Sequence, residues 1–174
     1  MDPYAEPLKI YLSGYIGGPK VIDKCVAWRR QIVDFYNNYK GKKYPLLWMD
    51  PLNGKDFSSL DENGLKSNIP SHAIIHRDFQ CIVRSDLVIV NMDTFGESRP
   101  LIGTIAEIAW AWDRRIPIVM ITDEAIYKEH PFTAYFASHV VSSVEELLEK
   151  KIVNFYFKGW NDAWYGETNS QVKY

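Results

Sequence analysis

The sequence predicts an α/β protein: one doubly wound, Rossmann- or flavodoxin-like domain with a parallel sheet of about five strands and helices on both faces. Two observations predict this fold. Runs such as LVIVN at 87–91 and IPIVMI at 116–121 are apolar at nearly every position, and amphipathic stretches separate the runs. Strands buried on both faces are typical of parallel sheets, and their alternation with helices indicates a sheet covered on both sides.

The predicted elements alternate along most of the chain. Strands are expected at 8–13, 46–49, 87–91, 116–121 and 140–141. Apolar residues recur at helical spacing within 21–39, 70–84, 103–114 and 143–151, so these four segments are predicted helices. Pro70 suits a first helical turn, where no backbone N–H is required. The polar segment 53–68 contains two glycines and is predicted to be a mobile loop.

Length and composition favour a single domain over residues 1–174. The chain is 47% hydrophobic and 24% charged, and its formal net charge is −2. This balance provides no basic surface for a nucleic-acid polymer or an anionic membrane, so neither partner is expected. The N-terminus lacks the pattern of a signal peptide, and no apolar run approaches the roughly 20 residues that span a bilayer. A cytoplasmic location is therefore expected.

Ligands of doubly wound sheets bind beyond the carboxyl ends of the strands. Glu107 lies in this region and is the only charged residue between Pro100 and Trp112. It falls about one turn into a predicted helix, where the positive helix end favours a carboxylate. Thr104 to Glu107 also matches a capping box, in which the glutamate would only accept a backbone N–H. Catalysis and capping are both open for Glu107.

Asp78 is a second candidate because it interrupts an apolar helix face. Ile75 precedes it by three residues and Ile82 follows by four. A carboxylate on such a face is costly unless it is paired or lines a wet cavity. The structural interpretation is a partner such as Arg77, Arg84 or a backbone N–H. The functional interpretation places Asp78 and Glu107 in one cleft, where two carboxylates suggest glycosidic-bond chemistry.

Motifs for metals and cofactors are weak. His72 and His76 have i,i+4 spacing, but no HExxH accompanies them, so no metal is expected. The loop GYIGG at 14–18 follows the first strand, but it matches neither a dinucleotide fingerprint nor a phosphate-binding loop. We therefore expect no cofactor.

Taken in order, these segments resemble the nucleoside 2-deoxyribosyltransferase family, in the branch common in phage and bacterial genomes. The resemblance covers most of the chain. Its motifs are IYLSG at 10–14, WR at 28–29, MDPL at 49–52, the stretch from Asp78 to Asn91, and GTIAEI at 103–108.

The resemblance implies that Glu107 attacks the anomeric carbon of a 2′-deoxynucleoside and forms a deoxyribosyl ester. The sugar then passes to a second free nucleobase, or to water in a side reaction. Tyr11 would orient Glu107, and Asp78 would assist protonation of the leaving base. A glycosidic bond without a neighbouring 2′-hydroxyl is labile, and a carboxylate can capture its oxocarbenium-like centre. The further expected substrate contacts are Ser13, Gly14, Asp50, Asn91, Asp93, Ser98 and Gly103.

One departure from the family pattern leaves the substrate open. Many relatives carry Asp or Ser six residues before the nucleophile, where this chain has Leu101. In the family that Asp contacts the base and that Ser contacts a 5′-phosphate. Ser98 or Arg99 could compensate, so an N-glycosidase of 2′-deoxynucleoside 5′-monophosphates is an alternative. A non-catalytic nucleotide-binding module, with Glu107 and Asp78 in structural pairs, is a second alternative.

The segment 152–174 is unusually aromatic. Large exposed aromatic patches are rare on monomers, and aromatic residues dominate interface cores. We therefore expect a homo-oligomer, at least a dimer, with residues from Trp160 onward near an active site. The resemblance implies the same arrangement. Packing of the segment on its own sheet is the alternative. Its aromatic residues are Phe155, Tyr156, Phe157, Trp160, Trp164, Tyr165 and Tyr174.

Overall fold

The computed structural model describes residues 6–40, 44–55, 60–61, 64–65 and 69–156. Strands and helices alternate through most of this range. In chain order the elements are β1 (Leu8–Gly14), α1 (Ile22–Asn38), β2 (Leu46–Met49), β3 (Leu60–Asp61), β4 (Gly64–Leu65), α2 (Ser71–Val83), β5 (Leu87–Asn91), α3 (Ile102–Asp113), β6 (Ile118–Ile121), α4 (Ala125–Glu129), α5 (Pro131–Phe136), β7 (His139–Val141), α6 (Val144–Glu149) and α7 (Ile152–Tyr156).

Five strands form the central sheet, in the order β2-β1-β5-β6-β7. Every neighbouring pair is parallel. The chain moves from β1 outward to β2 and then returns to β5 on the other side of β1. The strand order therefore reverses between β1 and β5, which is where ligands bind in sheets of this type. The predicted α/β fold with an all-parallel sheet is confirmed.

Helices cover both faces of the sheet. On one face α1 and α6 pack together, and on the other α2 packs against α3. Successive side chains of a strand point to opposite faces, so each face has its own core. Ile10 and Leu12 of β1 join the core under α1, whereas Tyr11 joins the core that contains Ile108 of α3. This alternation decides which β1 side chains can reach α3.

The boundaries of the predicted elements agree with the structure to within about two residues. The segment 53–68 is an exception, because it contains the short antiparallel pair β3 and β4 rather than loop alone. The short helices α4 and α5 were also not predicted as separate elements. At the start of α5, the His130 side chain accepts the backbone N–H of Phe132 at 3.3 Å.

The aromatic C-terminal segment begins inside the core. Ile152 and Val153 of α7 are buried with residues of α1 and α6, so 152–156 packs on its own sheet, as the alternative prediction has it. Residues 157–174, which include Trp160, lie outside the described residues. Across the described helices, none combines the length and the apolar character needed to cross a bilayer.

Candidate active site

Helix α3 aims Glu107 at the carboxyl end of β1. Thr104, Ile108 and Ala111 form the buried face of this helix, and Glu107 lies beside that face. The helix is capped at Leu101, with no side-chain hydrogen bond at the cap. Thr104 is therefore already inside the helix, and the capping-box interpretation of Glu107 is wrong. Its carboxylate turns toward the sheet instead.

Two hydroxyls of β1 hold the Glu107 carboxylate, one on each oxygen. The Tyr11 hydroxyl donates to Oε1 at 2.8 Å, and the Ser13 hydroxyl donates to Oε2. Tyr11 and Ser13 are two positions apart on a strand, so both side chains point to the α3 face of the sheet. The pair fixes the orientation of the carboxylate. The resemblance implied this role for Tyr11, but Ser13 was expected only to contact substrate.

The surroundings bring the titration of Glu107 close to neutral pH. Burial raises the pKa of its carboxyl to about 7, and the charge of Asp78 adds to that rise. The hydrogen bonds from Ser13 and Tyr11 and the nearby Arg29 lower this pKa, but they do not cancel the effect of burial. Burial, followed by the charge of Glu107, raises the pKa of Tyr11 well above its ordinary value. The Tyr11 hydroxyl therefore stays a donor.

Asp78 is both paired and placed in the cavity that Glu107 lines. The Arg77 guanidinium donates to its Oδ1 from Nε at 3.0 Å and from Nη2 at 2.8 Å. Nη2 of Arg77 also donates to the carbonyl of Pro51 at 3.0 Å, which ties α2 to the turn after β2. No described residue donates to Oδ2 of Asp78. The ion pair of the structural interpretation is therefore present, and Asp78 also shares a cavity with Glu107, whereas its chemical role stays a prediction.

The cavity beside Glu107 has a volume of about 350 Å³, which is within the range of small-molecule sites. A Cβ at Gly103 would meet no atom within 4 Å, so its missing side chain leaves ligand space. A Cβ at Gly14 would lie 2.9 Å from the Asn91 carbonyl oxygen, so glycine is needed where β1 meets β5. The cavity is lined by Gly14, Tyr15, Ile16, Pro51, Lys55, Asp78, Arg99, Pro100, Leu101, Ile102, Gly103, Thr104 and Glu107.

Asp50 supports the site without lining this cavity. Its Oδ1 lies 3.4 Å from Nε of Arg29, whose side chain is only 2% exposed. Arg29 also donates to the carbonyl oxygens of Cys25 at 2.5 Å and Gly14 at 3.1 Å. A buried guanidinium needs such partners. The expected substrate contact at Asp50 is therefore corrected to a structural ion pair that fixes the end of β1.

Three other expected substrate contacts also lie away from the Glu107 cavity. Asn91 shares a strand face with Ile89, opposite the face toward α3, because side chains alternate along β5. Its Oδ1 accepts the backbone N–H of Asp93 at 3.0 Å, and both residues line a separate cavity of about 500 Å³. Ser98, in the segment that precedes α3, lines a third cavity together with Gly18 and Pro19. Of the expected contacts, Ser13, Gly14 and Gly103 remain at the site.

Lys55 is a cavity residue that the sequence analysis missed. It follows β2, and its backbone N–H donates to the carbonyl of Leu52 at 3.1 Å. The sequence places it in the polar segment 53–68, which predicts a loop. Its position beyond the carboxyl end of a strand could have indicated a place at the ligand site.

Arg99 approaches the same cavity from another element. Its guanidinium donates to the carbonyl of Ile16 and lies 4.9 Å from the centre of the Tyr15 ring. The cavity thus has cationic as well as acidic side chains in its wall. His72 and His76 are exposed on α2, and within the described ranges no three His, Cys, Asp or Glu side chains form a metal-binding group.

The fold and this cavity define the class of the protein: a doubly wound α/β protein with a carboxylate at the point where the strand order reverses. No family model and no curated protein matches the chain. Among solved structures it is similar to a conserved protein from Enterococcus faecalis V583, with 21% sequence identity and a TM-score of 0.57. That alignment covers 83% of this chain and 96% of the other. At this identity the similarity extends to the fold alone.

Proposed function

We propose that the protein transfers 2-deoxyribose between nucleobases through an ester on Glu107. One observation carries the proposal: each oxygen of the Glu107 carboxylate accepts a hydrogen bond from a hydroxyl, and the carboxylate lines a cavity of about 350 Å³ with a second carboxylate, Asp78. A carboxylate fixed in this way is oriented for attack, and it resembles the carboxylate nucleophile of retaining glycosidases. A merely structural glutamate would not need an open cavity beside it.

In the proposed first step, an oxygen of Glu107 forms a bond to the anomeric carbon while the bond from that carbon to the base nitrogen breaks. The base keeps the bonding electrons and gains a proton. In the second step a new base attacks the ester, and Glu107 leaves as the carboxylate. Since the pKa of Glu107 is about 7, a substantial fraction is ionised at neutral pH and able to attack.

A second candidate is an N-glycosidase that acts on 2′-deoxynucleoside 5′-monophosphates. Lys55 and Arg99 both line the Glu107 cavity, and ammonium and guanidinium groups are the common protein ligands of phosphate. In this reaction water replaces the second base as the attacking group. The carboxylate chemistry is otherwise the same.

The test is to incubate the protein with each 2′-deoxynucleoside and each 5′-monophosphate, with and without a free acceptor base, and to follow products by chromatography. Base exchange on nucleosides is the expected result. Release of base from monophosphates alone, independent of acceptor, would select the second candidate. Binding of these ligands without any turnover would contradict both and favour a non-catalytic nucleotide-binding module.

We also propose that the chain forms a homo-oligomer through the outer face of α3. Ile102, Ile105 and Trp112 lie on this face and are 74%, 41% and 45% exposed. Tyr135 of α5 extends the patch, since its ring packs edge-on against Trp112. Exposed apolar stripes of this kind mark interaction surfaces, and this stripe lies on the helix that carries Glu107.

Light scattering at micromolar concentration tests the oligomer. The expected result is a dimer or larger assembly that Ile105→Glu dissociates. Leu47→Glu is the matched control, because Leu47 is similarly exposed but lies on strand β2 at the edge of the sheet. A monomeric wild-type protein would contradict the proposal.

A further inference from the structure

Lys55 is the one lysine among the residues that line the Glu107 cavity. Its side chain is partly buried, and its backbone is fixed in the turn after β2 by the hydrogen bond to Leu52. Among the described residues, none accepts a hydrogen bond from its ammonium or lies within ion-pair distance. A partly buried ammonium with three donors and no acceptor within the described part of the chain is suited to bind an acceptor on a ligand.

Asp78, by contrast, is already engaged as an acceptor. Both hydrogen bonds that it receives come from Arg77, so the observed contacts of this carboxylate are those of a hydrogen-bond acceptor. Departure of a nucleobase requires a donor, because the base nitrogen gains the bonding electrons. In this cavity the ammonium of Lys55 meets that requirement better than Asp78 does.

The charges around Lys55 are suited to a group that gives up its proton. Burial lowers the pKa of Lys55, and the charges of Arg77 and Arg29 lower it further. Asp78 and Asp50 oppose this shift but do not cancel it. A lowered pKa brings an ammonium closer to the range in which general acids work at neutral pH.

On the basis of the proposed function, we infer that Lys55 is the proton donor to the departing nucleobase, with Asp78 as its countercharge. As Glu107 bonds to the anomeric carbon, the carbon–nitrogen bond breaks and its electron pair moves onto the base. A proton passes from Nζ of Lys55 to the base, which leaves neutral, and Lys55 becomes a neutral amine. The incoming base returns a proton to Lys55 in the second half-reaction, so protons and charge balance over the cycle.

The test compares two leaving groups in wild-type protein, Lys55→Ala and Lys55→Arg. One substrate is 2′-deoxyguanosine, and the other is its N7-methylated derivative, whose base leaves neutral without gaining a proton. We expect both variants to lose about 10²-fold or more in kcat on 2′-deoxyguanosine and at most about 5-fold on the methylated substrate. Arginine keeps the positive charge but does not release a proton, so Lys55→Arg separates proton donation from electrostatics.

The pH profile gives a second measurement. Wild-type kcat on 2′-deoxyguanosine should fall on the alkaline side as Lys55 loses its proton, and this limb should be absent in Lys55→Arg. Lys24→Ala, at an exposed position of α1 away from the Glu107 cavity, is the control and should match wild type. Thermal unfolding of each variant checks that the fold is kept.

Three outcomes would overturn the inference. Equal losses on both substrates would make Lys55 a positioning residue, and unchanged turnover would remove it from the site. With 2′-deoxyguanosine 5′-monophosphate added as a third substrate, a loss seen only on that substrate would assign Lys55 to the phosphate. Wild-type protein that is inactive on every substrate would instead contradict the proposed function itself, together with this inference.

Discussion

The Tyr11 hydroxyl lies 2.8 Å from Oε1 of Glu107, although 96 positions separate the two residues in the chain. The sheet brings them together, because β1 and β5 are neighbours and α3 follows β5. Ser13 reaches the other oxygen from the same strand face. The carboxylate is therefore fixed by the fold at the point where the strand order reverses.

Removing either hydroxyl should slow the reaction and shift its pH dependence. Both hydrogen bonds lower the pKa of Glu107, so Tyr11→Phe and Ser13→Ala should raise this pKa and move the acidic limb of kcat to higher pH. We expect losses of about 10-fold at neutral pH. The measurement is kcat against pH. Ser85→Ala is the control, because among the described residues the Ser85 hydroxyl donates only to the carbonyl of Cys81, four positions earlier. A pH profile identical to wild type would remove the altered residue from the site.

Asp78→Asn should reduce turnover by about 10²-fold, because it removes a negative charge from the cavity. The matched control is Asp113→Asn, which also breaks an ion pair with an adjacent arginine, Arg114, but on the surface. Steady-state kinetics on 2′-deoxynucleosides measures the effect. If Asp78→Asn loses only stability and keeps its turnover, its pairing with Arg77 is the whole role of Asp78.

Asp50→Ala should destabilise the protein by about 3 kcal/mol, because it leaves the buried Arg29 without its countercharge. The free energy of unfolding in urea measures this loss. Asp123→Ala should change little, since it breaks an exposed pair with Lys128. A raised KM with no loss of stability would instead restore Asp50 as a substrate contact.

Glu107→Gln should change how stability depends on pH. The folded protein raises the pKa of Glu107 from 4.5 to about 7, so it binds this proton more tightly than the unfolded chain. Wild-type stability should therefore fall as pH rises between these two values, whereas the glutamine variant lacks this titration. In thermal unfolding, the Tm of the variant should rise relative to the Tm of wild type as the pH increases from about 4 to about 8. Parallel pH dependence of the two proteins would contradict the raised pKa.

The sequence was sufficient for the sheet and its helices, because continuous apolar runs and apolar residues at helical spacing report burial directly. It also located Glu107 and Asp78, since charges within apolar stretches need a structural or chemical reason. The alternation along β1 could have placed Ser13 with Tyr11 on one face. Placing both side chains beside Glu107 also requires knowing on which side of the sheet α3 packs, and residue spacing alone does not provide this.

Other errors had a common cause. Asn91 is the last residue of β5 and Asp50 follows β2, so both lie at the carboxyl edge of the sheet, but that edge has two sides and several cavities. Only the three-dimensional arrangement shows Asp50 paired with Arg29 and Asn91 turned away from α3. Lys55 could not be recognised from residue type alone, because it lies within a polar segment in which a lysine is unexceptional. Local pattern identifies the edge of the sheet, and packing decides which cavity a residue faces.

The base-exchange rate of Glu107→Gln tests the proposed deoxyribosyl ester on Glu107 most directly. Glutamine keeps the size of the side chain and can still bond to the hydroxyls of Tyr11 and Ser13, but it cannot serve as the carboxylate nucleophile. We predict a loss of at least about 10³-fold in kcat with the fold intact. Turnover close to that of wild type would contradict it, because no ester on Glu107 could then be part of the reaction.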